Sequence, residues 1–194
     1  MRYPQGLRAF FMAWPLLRER LRVLDAGCGT GVVTLALIDA LRRRGLEPGP
    51  IHAFDLTPAM LERFRDRLRT RGLESVETAQ ANVLELGALP SGWTRYDLVV
   101  SASMLEYVPR DRLVDALRGL RGLLGENGRL VLFITRRNWF TRPLIGRWWR
   151  SNLYSADELR DAFRLADFSR FGFVGFPPAA RHLSVWGYAI EADR

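Results

Sequence analysis

The sequence predicts an α/β protein: a doubly wound, mostly parallel sheet with helices on both faces and an antiparallel strand pair at its C-terminal end. Three observations predict it. Short apolar runs alternate with amphipathic helical stretches, the pattern of repeated strand–helix units. The first apolar run leads straight into a glycine-rich loop and then a helix. The chain closes with two aromatic runs, 170–176 and 184–191, separated around Pro177-Pro178 with no helix long enough to carry a parallel crossover, so they pair antiparallel.

Residues 21–26 form the first strand, and 32–44 the helix after it, which Gly45 stops. Residues 51–55 are the second strand. Thr57 then caps a helix with Pro58 at its first position. Met60, Leu61, Phe64 and Leu68 share the core face of that helix, with arginines between them. Residues 75–81 are the third strand and 96–101 the buried fourth. A helix over about 109–124 ends at Gly125, and 126–128 turns into the fifth strand, 129–135. Ser155-Ala-Asp-Glu158 is a capping box opening a helix through about residue 166. No repeat or linker interrupts the pattern, so 1–194 reads as one domain. Residues 1–20 are a helical N-terminal extension and 136–154 a basic-aromatic insertion.

Composition narrows the function. The 194 residues are 48% hydrophobic, enough for a substantial core. No apolar run approaches the roughly 18 residues a membrane span needs, and the apolar stretch 10–14 is too short for a signal peptide; a cytoplasmic location is expected. The net charge of +8 rests on 29 basic residues, every one an arginine. Without lysine there is no Schiff base, which excludes pyridoxal-phosphate chemistry. A basic chain suits nucleic acid, an anionic membrane or an acidic substrate, and charge alone does not choose. The lone cysteine, Cys28, makes no internal disulfide; it reads as a small space-filler in the glycine loop rather than a catalytic thiol. No His, Cys or carboxylate cluster has metal-ligand spacing.

The glycine loop carries the most information. Val23-Leu24-Asp25-Ala26-Gly27-Cys28-Gly29-Thr30-Gly31 is a strand, a tight loop and a helix start, which together make a nucleotide-sized cradle. The spacing Asp-x-Gly-x-Gly-x-Gly differs from the dinucleotide fingerprint, whose last glycine arrives one residue later, and no Lys-Ser/Thr follows as in a phosphate-gripping loop.

This string resembles motif I of the class I S-adenosylmethionine-dependent methyltransferases, and the element order resembles that fold from residue 21 to the C-terminus, nearest to the subgroup that includes ubiquinone and menaquinone C-methyltransferases. The resemblance implies that Asp25, Gly27, Cys28, Gly29 and Gly31 hold the amino-acid part of S-adenosylmethionine, with S-adenosylhomocysteine as product. It implies that Asp55, ending strand two, accepts hydrogen bonds from both ribose hydroxyls, and that Leu56 lies against the adenine. A helix-preceding acid is the plainer reading of Asp55. Where the family usually has an aspartate at the adenine amino group, this chain has Asn82 before Val83. The Asn82 amide oxygen can still accept from that amino group; otherwise it is a surface loop residue. Ser101 and the segment to Tyr107 leave strand four at the carboxyl edge, where such sheets bind ligands. Asp97 starts that strand at the opposite edge and reads as structural.

Methyl transfer needs acceptor and methyl aligned roughly 3 to 3.5 Å apart. A carbon acid or alcohol needs a general base as well. Glu106 is the candidate, against the alternative of a helix-start acid stabilised by the dipole. His52 and His182 are bases without a motif. Tyr107 is expected to line the acceptor pocket or simply pack. Residues 136–150 hold five arginines, three tryptophans and no acid. Three readings stand: a lid that puts Trp139 and Trp148 in the acceptor pocket, a peripheral membrane contact, or a surface for single-stranded nucleic acid. The expected activity is methyl transfer to a small or lipid-like acceptor. The alternatives are a nucleic-acid methyltransferase, whose Asn/Asp-Pro-Pro-Tyr and Pro-Cys motifs are missing, and a non-catalytic S-adenosylmethionine-binding protein.

Overall fold

The computed structural model describes residues 3–137 and 151–194. Among the described residues five longer helices and seven strands follow one another as α1 (Tyr3–Ala13), β1 (Val23–Ala26), α2 (Val32–Arg43), β2 (Ile51–Asp55), α3 (Pro58–Arg69), β3 (Glu77–Gln80), β4 (Tyr96–Ala102), α4 (Leu113–Gly122), β5 (Leu124–Thr135), α5 (Ala156–Leu165), β6 (Arg170–Val174) and β7 (Gly187–Asp193). The strands form one sheet in the order β3-β2-β1-β4-β5-β7-β6. The first five are parallel, and β7 is antiparallel to both β5 and β6. The expected fold class is the observed one.

Strand parity divides the core. Val23, Leu98, Val100, Val131 and Phe133 face one cluster, with Phe11, Leu37 and Phe64 of the helices. Leu24, Val99, Leu130 and Leu132 face the other, with Leu117, Phe163 and Tyr154. Two-sided burial explains why the strands read as continuous apolar runs. Phe10 and Phe11 of α1 meet the Phe133 ring edge-on at 4.9 and 6.1 Å. Phe10, Phe11 and Trp14 are therefore buried core residues, the two phenylalanines contributing about 1.5–3 kcal/mol each.

Two elements depart from expectation. The helix after β4 begins at Leu113, preceded by short 3-10 turns at Leu105–Tyr107 and Arg110–Arg112. Residues 126–128 are not a turn ahead of β5 but part of it. Tyr96 pairs with Leu124 and Leu98 with Arg129, so the intervening residues bulge from the strand. Ser155 makes the expected capping box with Glu158. Trp139 and Trp148, with the rest of 138–150, lie outside the described residues. No helix among the described residues is long and apolar enough to cross a membrane.

Candidate active site

Strand order reverses between β1 and β4, whose chains leave toward opposite sides of the sheet. Their carboxyl ends, Ala26 and Ser101, are paired in register, and the crevice where ligands of such sheets bind opens beyond them. The glycine loop, the start of α3 and the segment after β4 surround it.

The loop is held from both sides. The Gly27 and Cys28 amides donate to the Phe54 carbonyl at 2.8 and 2.9 Å. The Asp55 carboxylate accepts from Gly29 N–H at 2.8 Å through Oδ2 and from Thr57 N–H at 2.9 Å through Oδ1. Asp55 thus joins the glycine loop to the start of α3. Each oxygen keeps a lone pair for an incoming hydroxyl. Leu56, next in the chain, is 60% exposed.

The glycines divide by role. A Cβ on Gly29, at φ +52°, would meet nothing within 4 Å; this is the open part of the cradle. A Cβ on Gly31 would strike the Phe64 ring at 1.9 Å, and one on Gly27 the Met104 side chain at 2.2 Å. At Gly27 and Gly31 the missing side chain therefore lets the loop pack closely against Met104 and Phe64. Cys28 is buried, and desolvation pushes its thiol far above the ordinary range, so it stays neutral and fills space.

Three expected ligand contacts take other partners. Asp25 is buried, and its Oδ2 accepts from the Thr34 N–H at 3.1 Å and hydroxyl at 2.6 Å, fixing loop to helix. Burial pushes its carboxyl up to about 6 against those hydrogen bonds, and its Oδ1 has no protein partner among the described residues. Ser101 is fully buried and donates to the Ala26 carbonyl at 2.9 Å; it staples β4 to β1 and does not reach the crevice. Asn82 Oδ1 accepts from the Leu84 N–H at 3.0 Å in a local turn, which leaves one lone pair of that oxygen and the amide nitrogen for other partners. Val83 is buried beside it.

Beyond β4, Glu106 is 2% exposed. Its Oε1 accepts from the Thr135 N–H at 2.6 Å, at the carboxyl end of β5. Burial raises its pKa, and the Thr135 and Ser103 hydrogen bonds oppose that. The segment is braced by Asn152, whose N–H donates to the Glu106 carbonyl and whose amide donates to the Val108 carbonyl, both at 2.7 Å. Tyr107 is 57% exposed at the rim. Ser103, Thr135 and Asn152 carry no motif, and only the fold brings them together. Among the described residues no cluster of His, Cys, Asp or Glu could hold a metal ion.

The two histidines are placed differently, and His182 lies in the 3-10 segment before β7, whose first residue Gly187 pairs with Thr135 at the carboxyl end of β5. His52 is buried near the opposite end of the sheet, with Nδ1 2.7 Å from the Tyr96 hydroxyl and its ring stacked on Trp93 at 4.4 Å. Asp97 likewise stays at that edge, accepting from Arg22 N–H at 2.8 Å and the Arg18 side chain at 2.9 Å. Burial lowers the His52 pKa below 6.5, with Glu77 opposing and Arg22 assisting. The unfolded chain therefore takes up a proton first as pH falls below 6.5, and stability falls with it. Asp25 acts with the opposite sign between about pH 4 and 6. We expect denaturant unfolding to show a loss of stability below pH 6.5 in wild type that His52→Phe lacks. Equal slopes in the two proteins would count against it.

Comparison with known proteins agrees with this geometry. A family model described as a methyltransferase domain matches residues 24–130. The chain is 30% identical over 151 residues to the non-reducing polyketide synthase esdpA of Penicillium shearii, covering 76% of this chain but 6% of that protein. It is 30% identical over 128 residues to the aklanonic acid methyltransferase DauC of Streptomyces sp. (strain C5), covering 66% of this chain and 53% of the relative. The chain thus spans about half of DauC's length and a small fraction of the synthase. The crystal structure of magnesium protoporphyrin IX methyltransferase from Synechocystis PCC 6803 with bound S-adenosylhomocysteine superposes with a TM-score of 0.69 at 18% identity, over 100% of this chain and 82% of that one.

Proposed function

The chain belongs to the class I S-adenosylmethionine-dependent methyltransferases, and from that premise we propose that it transfers a methyl group from S-adenosylmethionine to a small or lipid-like acceptor of the acyl or polyketide kind. The observation that carries the cofactor assignment is the cradle at Gly29 and Asp55: open space before a left-handed glycine, a carboxylate with free lone pairs at its edge, and the exposed apolar face of Leu56 beyond. Asp55 would hold the ribose hydroxyls, Leu56 would cover the adenine face, and the Asn82 amide nitrogen would donate to a ring nitrogen. The unpartnered Asp25 Oδ1 fits a donor from the amino-acid end or a bridging water. When bound, S-adenosylmethionine supplies a methyl group on a positively charged sulfur that leaves as a neutral thioether.

The protein's part is orientation and proton removal. The Glu106 segment stands at the carboxyl end of β4, fixed by Thr135 and Asn152. A buried carboxylate there is suited to take a proton from a carbon acid or alcohol. The relatives' names, an aklanonic acid methyltransferase and a polyketide synthase, support small acceptors over nucleic acid. Calorimetric titration of S-adenosylhomocysteine, followed by a turnover screen of β-keto thioesters, alcohols and carboxylic acids, tests the proposal. A well-folded protein that fails to bind would overturn it. Binding without turnover of any acceptor would favour a non-catalytic binding protein.

A further inference from the structure

The helix layer on the α1–α2–α3 face of the sheet carries a cleft of about 190 Å³, lined by Arg8 of α1, Arg67 of α3 and Arg71 just past it. Leu35 and Ala36 of α2, both buried, line it as well, so one wall is apolar. Among the described residues its one carboxylate is Asp39, whose Oδ1 stands 3.8 Å from Arg71 Nη1, beyond hydrogen-bond length. Three guanidinium groups against one carboxylate repel one another, and a concave wall of low dielectric focuses their field. Arg67 is held in place: its Nη1 donates to the Thr30 carbonyl at 2.8 Å and to the Thr30 hydroxyl at 3.2 Å. Arg8 is half-buried and makes no hydrogen bond or ion pair among the described residues. A guanidinium partly withdrawn from water without an acceptor is costly unless an anion joins it.

We propose that this cleft binds a phosphoryl group, free in solution or on a lipid head group. Its volume sets the size of what enters. Pockets for drug-sized ligands start at roughly 300 Å³, so a small anionic group fits and the rest of its molecule stays outside. Charge and geometry set the chemistry. A phosphate monoester brings a charge of about −1.5 to −2 and three strong acceptor oxygens. Planar guanidinium forks pair with such oxygens two at a time. Arg67 keeps Nε and Nη2 for it, and Arg8 its whole fork. A carboxylate brings one charge and two oxygens, so it is the weaker ligand. Arg67 also ties the cleft to the glycine loop, because Thr30 lies between Gly29 and Gly31. Fixing the Arg67 guanidinium fixes Thr30, so phosphate and cofactor favour each other's binding. This coupling rests on the methyltransferase reading above; the site itself does not.

The test is a titration of the whole chain with inorganic phosphate at constant ionic strength, followed by the arginine Nε–Hε resonances in NMR. The Arg8 and Arg71 signals, assigned with Arg8→Gln and Arg71→Gln, should move along a saturable curve with a Kd of about 1 mM or less. Each of these variants should weaken phosphate about tenfold or more. Asp39→Asn, which removes the competing carboxylate, should tighten it about threefold. All three should bind S-adenosylhomocysteine like wild type in phosphate-free buffer. Saturating phosphate should tighten S-adenosylhomocysteine about fivefold in wild type and not in Arg8→Gln. Glycerol 3-phosphate and phosphatidylcholine vesicles with or without phosphatidic acid separate the two sources. Binding of the soluble monoester without the vesicles assigns a free phosphate compound, and retention on phosphatidic acid that Arg8→Gln abolishes assigns a head group. Signals that move without saturation, or a phosphate affinity unchanged in both Arg8→Gln and Arg71→Gln, overturn the site. Phosphate binding to which S-adenosylhomocysteine affinity is indifferent overturns the coupling alone. A wild type that binds phosphate but not S-adenosylhomocysteine overturns the cofactor reading and the coupling with it, and leaves the phosphoryl site standing.

Discussion

Asp55→Ala is expected to remove S-adenosylhomocysteine binding from calorimetric range while leaving the fold intact. The carboxylate sits at the end of β2, partly exposed, and its two oxygens hold Gly29 N–H and Thr57 N–H at 2.8 and 2.9 Å. In the complex each oxygen would accept one ribose hydroxyl as well. Hydrogen bonds to a charged group contribute about 1.5–3 kcal/mol apiece, so losing two costs about 3–6 kcal/mol, or roughly 10²- to 10⁴-fold in affinity. The alanine also frees the glycine loop from α3, which adds to the loss. Asp55→Asn tests the geometry more finely, because its amide nitrogen cannot accept from a backbone N–H and must face one of the two donors. Its affinity should fall between the other two. An alanine variant whose Kd stays within tenfold of wild type would remove Asp55 from the site.

The part of this site that is legible in the sequence is the part built by local rules. Strand parity, the glycine spacing, the Thr57-Pro58 helix start and the Ser155 capping box each depend on a few neighbouring residues, and the structure has them, except that the Thr57 side chain makes no cap bond. Asp55 is legible as an anchor, because an acid ending β2 has the glycine loop on one side and the start of α3 two residues on. Ser101 is different. Its hydroxyl goes to Ala26, 75 residues earlier, a pairing set by the register of β4 on β1. Strand position alone does not reveal that its lone donor is already taken. The Asp25 partner, Thr34, is near in sequence and could have been read: an acid at a strand end nine residues before a helical threonine is as much an anchor as a ligand. Ser103 carries no sequence signal, because a serine at positive φ is held there by β5 and by nothing local. The bulge at 125–128 was hidden for the same reason; a Glu-Asn-Gly run reads as a turn until the facing strand supplies partners.

A matched pair of alanines separates what the glycine loop does for folding from what it does for binding. Gly31→Ala places a methyl group 1.9 Å from the Phe64 ring at φ +79°, and Phe64 is fully buried, so the ring has nowhere to go. The left-handed backbone costs about 1–2 kcal/mol and overpacking about 1–3 kcal/mol more. At a few degrees per kcal/mol for a chain of this size, the melting temperature should drop by roughly 5–15 °C. Gly29→Ala has the backbone cost alone, because its Cβ meets no protein atom. Its methyl group instead occupies the space assigned to the ligand. The expected pattern in thermal melts is therefore crossed. Gly29→Ala melts only a few degrees below wild type without ligand but loses the stabilisation that S-adenosylhomocysteine confers, while Gly31→Ala starts lower still and keeps much of that increment. Phe64→Leu supplies the control: if ring and methyl collide, the Gly31→Ala penalty should be smaller in the Phe64→Leu background, a coupling that two independent defects would not produce. A Gly29→Ala protein with the full ligand-induced shift would mean that the cofactor does not lie against this loop, and the Asp55 assignment would lose its nearest support.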